Sequence, residues 1–173
     1  MERDPIDEFV EHVAVEWPQI DIQVEAAVDR VGKIHKMLDR SLAETLVGFG
    51  INPGEFKLLV RLRSTGPPHR LSPGELSRVL DLSTGAMTNR LDGLEQAGLV
   101  ARRPDPADRR GIIVDLTPKG KDLIDRAIVA QAAKEADHLS VLNEAEKRKL
   151  NDLLRKVVLS FHRSKAGAVA PGP

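Results

Sequence analysis

At 173 residues the chain is long enough for one domain, or one domain with helical extensions, around a single core. It has no cysteine, which excludes disulfides, thiolate catalysis and cysteine-type zinc sites. Lys and Arg balance Asp and Glu at 26 each, yet the first 31 residues hold nine acids and two bases, a net of −7, so the rest carries +7, a distribution compatible with a nucleic-acid-binding body under an acidic cap.

No apolar run approaches a membrane span and the acidic N-terminus does not read as a signal peptide, so a cytoplasmic protein with no membrane contact is expected. Asp4-Pro5 is an N-cap followed by proline at the first helical position. Ile6, Phe9, Val10, Val13 and Trp17 then share one face of a short helix over 5–16, which Pro18 breaks. A longer helix follows over roughly 20–47, with Val24, Val28, Val31, Ile34, Leu38, Leu42 and Leu46 in one stripe. A stripe of that length seeks a partner helix, often in a second subunit.

Gly48, Gly50 and Asn52-Pro53 mark a break and a new helix start, whose buried face is Phe56, Leu59, Val60 and Leu62. Ser64-Thr-Gly-Pro-Pro68 ends it, and His69-Arg70-Leu71 is short and extended. Ser72-Pro-Gly-Glu75 is a capping box opening a helix over about 73–80, with Leu76, Val79 and Leu80 inward. Asp81-Leu82 is a tight connection to a second short helix capped by Ser83 and closed by Gly98. In that helix Met87, Leu91 and Leu94 form the apolar face, while Thr84, Thr88, Asn89 and Arg90 lie off it. Such side chains reach base edges and phosphates, so the pair reads as a helix-turn-helix with a recognition helix for duplex DNA.

Residues 99–103 and 112–116 are strand formers around the turn-rich stretch 104–111, a β-hairpin with Arg109 and Arg110 at its tip. From Leu99 to Lys121 six bases face three acids, a local net of +3. Thr117-Pro-Lys-Gly restarts a helix that runs to about 139, and a last helix spans roughly 143–162 with Leu150, Leu153, Leu154, Val157, Val158 and Phe161 apolar. The fold class is mainly α with a small β-hairpin wing: helices at 1–51, a winged helix-turn-helix at 52–116, further dimerisation helices at 117–164 and a disordered tail at 165–173.

The residues set against DNA are Ser72, Ser83, Thr84, Ala86, Thr88, Asn89 and Arg90 in the helix-turn-helix, with Arg102, Arg103, Asp108, Arg109 and Arg110 in the wing. Arg109 is read as entering the minor groove, where narrow grooves attract guanidinium. Asp108 and Arg110 brace the wing, and Arg102 and Arg103 contact phosphate. Arg90 could read a base, touch phosphate or link a ligand to DNA. The five histidines lack metal-ligand spacing, and no phosphate-cradling loop, nucleophile elbow or HExxH motif occurs; no cofactor, metal or enzymatic activity is expected. Two function classes remain: a ligand-responsive DNA-binding regulator, and a winged-helix module that binds protein instead of DNA. The basic wing favours the first.

The run from Ser83 to Val100, together with Arg102-Arg-Pro-Asp-Pro-Ala-Asp-Arg-Arg-Gly111 leading into Val114-Asp-Leu-Thr-Pro-Lys-Gly120, resembles the MarR family of winged-helix transcription regulators over about residues 20–163. The resemblance implies a homodimer built from the first and last helices. It implies a pseudo-palindromic operator, and often release by a small anionic or aromatic ligand, phenolic or purine-like. The helix at 5–16 is similar to a urate-responsive branch in which a tryptophan near the long first helix helps bind ligand. Trp17 is so placed. That branch has an acid after the phenylalanine that begins the next helix; here the position is Lys57, which suits an anionic ligand but departs from the branch.

Overall fold

A computed structural model of the chain describes residues 2–106, 108 and 111–167. The N-terminal helix α1 (Pro5–Glu16) begins at Asp4, whose carboxylate accepts from the Ile6 and Asp7 amides while the Asp7 carboxylate accepts from the Asp4 amide at 2.9 Å. This reciprocal cap satisfies amides that the first turn cannot pair. Pro18 follows the last turn, and α2 (Ile22–Val47) starts afresh from the Asp21 cap, two residues later than the apolar pattern suggests. Ile6 and Val10 of α1 bury against Ala26 of α2. Arg30 closes the same contact, with Nε 2.9 Å from Asp4 and Nη2 2.6 Å from Asp7. Phe9 and Trp17, assigned from spacing to the buried face, are half exposed, because a helix of this length offers α2 a stripe only as wide as Ile6, Val10 and Val13.

The main core gathers short stretches of many elements. Leu42 and Leu46 come from the end of α2, Leu58, Leu59 and Leu62 from α3 (Pro53–Ser64), and Leu76 from α4 (Pro73–Leu80). Met87, Leu91 and Leu94 come from α5 (Thr84–Gln96), and Ile124 and Ala127 from α6 (Pro118–His138). Each fully buried leucine stabilises the fold by about 1.5–3 kcal/mol relative to exposure. Val79, expected inside, is exposed. Arg63 ties α3 to α6 through both oxygens of Asp125, at 2.7 and 3.3 Å, and thereby holds that carboxyl below the usual range.

The wing is a three-stranded antiparallel sheet and not a hairpin alone. The short extended segment becomes β1 (Arg70–Leu71) and pairs with β3 (Ile112–Leu116), which pairs with β2 (Val100–Pro104), giving the order β1-β3-β2. Arg70 stands opposite Asp115 and Leu71 opposite Val114, while Val100, Ala101, Arg102 and Arg103 stand opposite Leu116, Asp115, Val114 and Ile113. With alternation of side chains, Val100, Arg102, Val114, Leu116 and Leu71 share the inner face. Ala101, Arg103, Ile113, Asp115 and Arg70 share the outer one.

The Leu-Thr-Pro-Lys-Gly run at 116–120 joins sheet, α5 and α6. The Thr117 hydroxyl donates to the Gly98 carbonyl at 2.8 Å and accepts from the Gly120 amide. Lys119 donates to the Ala97 carbonyl at 2.7 Å, one of the carbonyls left unpaired at the end of α5. Gly98 has φ 70° and ends α5. Gly120 is required by approach, since a Cβ there would lie 2.0 Å from the Leu99 carbonyl oxygen.

Residues 1–131 form one compact unit and 132–173 another. In the second, α7 (Glu144–Gly167) opens at an Asn143–Glu146 capping box and continues past 164, so residues 165–167, expected to be disordered, are helical; 168–173 lie outside the described residues. Leu150, Leu153, Leu154, Val157, Val158 and Phe161 of α7 are exposed, as are Val24, Val28, Val31 and Ile34 of α2. The periodicity located the helices correctly, but these stripes are left open within one chain. No helix among the described residues is long and apolar enough to cross a membrane.

Hydrogen bonding to Arg30 lowers Asp4 to about 2, and the Asp4 amide followed by Arg30 lowers Asp7. A depressed carboxyl stabilises the folded form above its unfolded value, and that contribution is lost as pH falls through the folded value. The docking of α1 on α2 should therefore weaken between about pH 4 and pH 2. Trp17, the sole tryptophan, reports it: its emission should shift over that range in wild type, and in Arg30→Ala it should already be shifted at pH 7 with no acid step remaining.

Candidate nucleic-acid interface

The turn between α4 and α5 is tight because Asp81 adopts a left-handed conformation, φ 51°, in which its amide and that of Leu82 both return to the Ser77 carbonyl. Aspartate is among the few residues that tolerate this region. Ser83 then caps α5, its hydroxyl accepting from the Ala86 amide at 3.3 Å. Burial of Met87, Leu91 and Leu94 turns Gly85, Thr88, Asn89 and Asp92 outward. Spaced at i, i+3, i+4 and i+7, they form one exposed face. Thr84 is exposed at its start and Ala86 is half-buried at its flank. The Thr88 hydroxyl donates to the Thr84 carbonyl at 3.0 Å, leaving its lone pairs outward, and the Asn89 amide makes no hydrogen bond among the described residues. This is a helix face of open donors and acceptors, one side of which a core holds rigidly.

Ser72 belongs to the cap of α4: its hydroxyl donates to Glu75 at 2.8 Å and accepts from the Glu75 amide. The Ser72 amide, followed by the hydroxyl, holds the Glu75 carboxyl below its ordinary value. Arg90 is half-buried with its guanidinium over Gly54 in the first turn of α3, where a Cβ would stand 2.7 Å from Cζ. It makes no hydrogen bond or ion pair among the described residues. Lys57, three residues beyond Gly54 on the same helix, is exposed. Trp17, at the end of α1, is half exposed, and no hydrogen bond or ion pair joins it to Lys57.

The adjacent arginines of β2 go to opposite sides. Arg102 is on the inner face and reaches back to α5: Nη1 lies 2.6 Å from Asp92 and 3.3 Å from Glu95, Nη2 lies 3.3 Å from the Thr88 carbonyl, and the Arg102 amide donates to Glu95 at 2.8 Å. Its guanidinium is therefore engaged with α5. It neutralises Asp92, an acid on the exposed face of α5. Arg103, on the outer face, is mostly exposed and touches Asp115 at 3.3 Å. Spacing on β2 alone carried this signal, because Val100 is inward and Arg102 follows it by two. Asp108 lies in the loop, where its carbonyl accepts from Gly111 and the Asp105 amide donates to the Gly111 carbonyl. Arg109 and Arg110 lie outside the described residues.

Two short helices in tight succession, an exposed polar face on the second and an antiparallel sheet braced against it define a winged helix-turn-helix. A family model, MarR family, matches residues 51–112. The transcriptional regulator PecS of Dickeya dadantii is 32% identical over 152 residues, 88% of this chain and 92% of PecS. The transcriptional repressor YetL of Bacillus subtilis is 30% identical, covering 72% of this chain and 76% of YetL. Among solved structures, a variant of MarR from E. coli complexed with operator DNA superposes with a TM-score of 0.67 at 29% identity, covering 78% of this chain and 95% of that one. AbsC of Streptomyces coelicolor, at 21% identity and a TM-score of 0.72, shares the fold. The chain belongs to the MarR family of winged-helix transcriptional regulators, which are DNA-binding proteins and not enzymes.

Arg102→Gln should lower the thermal midpoint, because it strands Asp92 and Glu95; the loss should be of order 1 kcal/mol, since the bridge is only partly shielded from water. Arg103→Gln, on an exposed side chain, should leave the midpoint within error. Equal midpoints for the two variants, measured by thermal unfolding, would contradict the assignment of Arg102 as a tie between wing and α5.

Proposed function

We propose that this regulator acts as a homodimeric repressor that reads a pseudo-palindromic duplex through α5 and is released by a small anionic aromatic ligand. The observation that carries the DNA-reading part is the open face of α5, with Asn89 unengaged and Thr88 offering acceptors, over a buried Met87–Leu91–Leu94 stripe. Amides pair bidentately with adenine edges, and hydroxyls accept or donate to either base. Thr84, Ala86 and Ser83 flank the bases and backbone at the start of the helix, and Ser72 with Arg103 belongs to the backbone-facing set. Arg109 enters the minor groove in this reading, with Asp108 and Arg110 bracing the loop. Arg102 acts through α5, as its partners Asp92 and Glu95 require.

Dimerisation is supported by the open apolar stripes of α2 and α7, larger than a monomer ordinarily leaves to water. Recognition helices in such dimers lie about one helical turn apart, so half-sites selected from a random duplex pool should be centred about 10 base pairs apart. Thr88→Ala or Asn89→Ala should change the selected bases, at about 1–3 kcal/mol per good contact. A uniform loss on all sequences would make those residues phosphate contacts.

The effector in this reading sits near Trp17 and Lys57, where an indole face and a cation suit an aromatic anion. Arg90 supports it: an unpaired guanidinium from α5 lies over Gly54, three residues before Lys57 on α3, and offers an anion a second cation. Release requires the ligand to prefer the DNA-incompetent form, and operator must then weaken ligand binding by the same factor. Titration of phenolic acids and purines should shift Trp17 emission, and Lys57→Ala should weaken the response. A ligand that frees DNA while doing neither binds elsewhere.

A further inference from the structure

The outer face of the wing sheet carries a charge arrangement that α5 does not use. Asp115 stands in the central strand, opposite Arg70 on β1 and Ala101 on β2, with Arg103 one same-face step farther along β2. Arg70 Nε lies 3.1 Å from Oδ1 and Arg103 Nε lies 3.3 Å from Oδ2. The carboxylate is 15% exposed, against 43% and 71% for the two arginines. Its Oδ1 is buried without an aligned hydrogen bond among the described residues, so Arg70 holds it by charge contact and not by a directed N–H. A desolvated carboxylate is costly, and an acid near phosphates repels them.

Holding the sheet together does not explain that cost. The backbone ladder already sets the register over both strand pairs, and ion pairs to arginines as exposed as these add little stability. What the carboxylate does accomplish is to draw two long, rotamer-rich side chains to one place with a net charge of +1. Ala101 leaves room for this on the β2 side. The place is specific. Arg70 is two residues before Ser72, the cap of α4, and the first helix of a helix-turn-helix crosses the phosphate backbone. Arg103 precedes the wing loop. The bridge thus runs from the foot of α4 to the root of the wing.

We propose that Asp115 is a positioning residue that presents Arg70 and Arg103 as a preset pair to the phosphate backbone along the outer face of the wing, which makes Arg70 a DNA-contact residue. The proposal rests on the DNA-binding reading of the fold. The guanidinium fork matches phosphate oxygens, and a fork already immobilised loses less on binding.

The test is duplex binding as a function of salt for wild type, Asp115→Asn, Arg70→Gln, Arg103→Gln, the Arg70→Gln, Arg103→Gln double variant and the triple variant, each with its unfolding midpoint. Selection of a duplex by wild type tests the DNA-binding reading separately. Arg70→Gln and Arg103→Gln should each lower the logarithmic salt slope by about 0.9 for the phosphate lost. Asp115→Asn raises the net charge, so charge alone would tighten binding. Positioning instead predicts a loss of about 3- to 10-fold, the net scale of one ordinary hydrogen bond, with a flatter slope. In the Arg70→Gln, Arg103→Gln background the same change should cost no further affinity, although it would still lower the midpoint if it served the sheet. Binding by Asp115→Asn as tight as wild type or tighter, or an unchanged slope for Arg70→Gln, overturns the proposal. Should Asp115→Asn not fold, Arg70→Lys decides: it keeps the charge without the fork, so weaker binding supports the proposal and wild-type affinity overturns it.

Discussion

The side chains of Met87, Leu91 and Leu94 are almost wholly buried in the core to which α3 and α4 contribute, and that burial decides where each polar group of α5 ends. A helix of 13 residues is marginal by itself in water. Three buried side chains, at about 1.5–3 kcal/mol each, make it permanent and leave it no rotational choice. Once the inner stripe is fixed, Gly85, Thr88, Asn89 and Asp92 face outward by geometry. The wing depends on the same constraint, because Arg102 needs Asp92 and Glu95 presented in one turn to bind the sheet to the helix.

Local signals made much of this legible in the sequence. Proline after a polar cap, a hydroxyl three residues before glutamate, or a serine hydroxyl that takes a first-turn amide specifies a helix start by chemistry confined to one turn. Hence α1, α3, α4 and α5 begin at the residues their caps announce. The left-handed Gly98 is likewise a local requirement. The third strand was not legible, because Arg70 and Leu71 are two residues without alternation, made a strand only by β3.

The misread residues share one cause. Arg102 and Arg103 are identical in type and adjacent in sequence, so composition assigns them one role, whereas a sheet sends neighbours to opposite faces. Arg102 turns toward α5 and Arg103 stays outside. Phe9 and Trp17 fail for the complementary reason: spacing says which side chains share a face, but the width of the partner decides how many of them it covers. The same limit applies to α2 and α7, whose stripes are regular in sequence and open in the chain.

The joint at Thr117, Lys119 and Gly120 has a mechanical consequence. The first turn of α6 is fastened to the carbonyls of Ala97, Gly98 and Leu99, with the Leu99 oxygen lodged where a Cβ of residue 120 would be. There is no slack in such a contact, so the start of α6 and the end of α5 move as one piece. Helix α5, at 13 residues, is a lever of about 20 Å pivoting on that end. A tilt of about 5° at the pivot carries the far end, near Thr84, through about 2 Å, more than a hydrogen bond to a base tolerates. The glycine that lets two backbones touch thereby couples the two helices: a tilt of α6 reaches α5 undamped, and Met87, Leu91 and Leu94 carry it into the core.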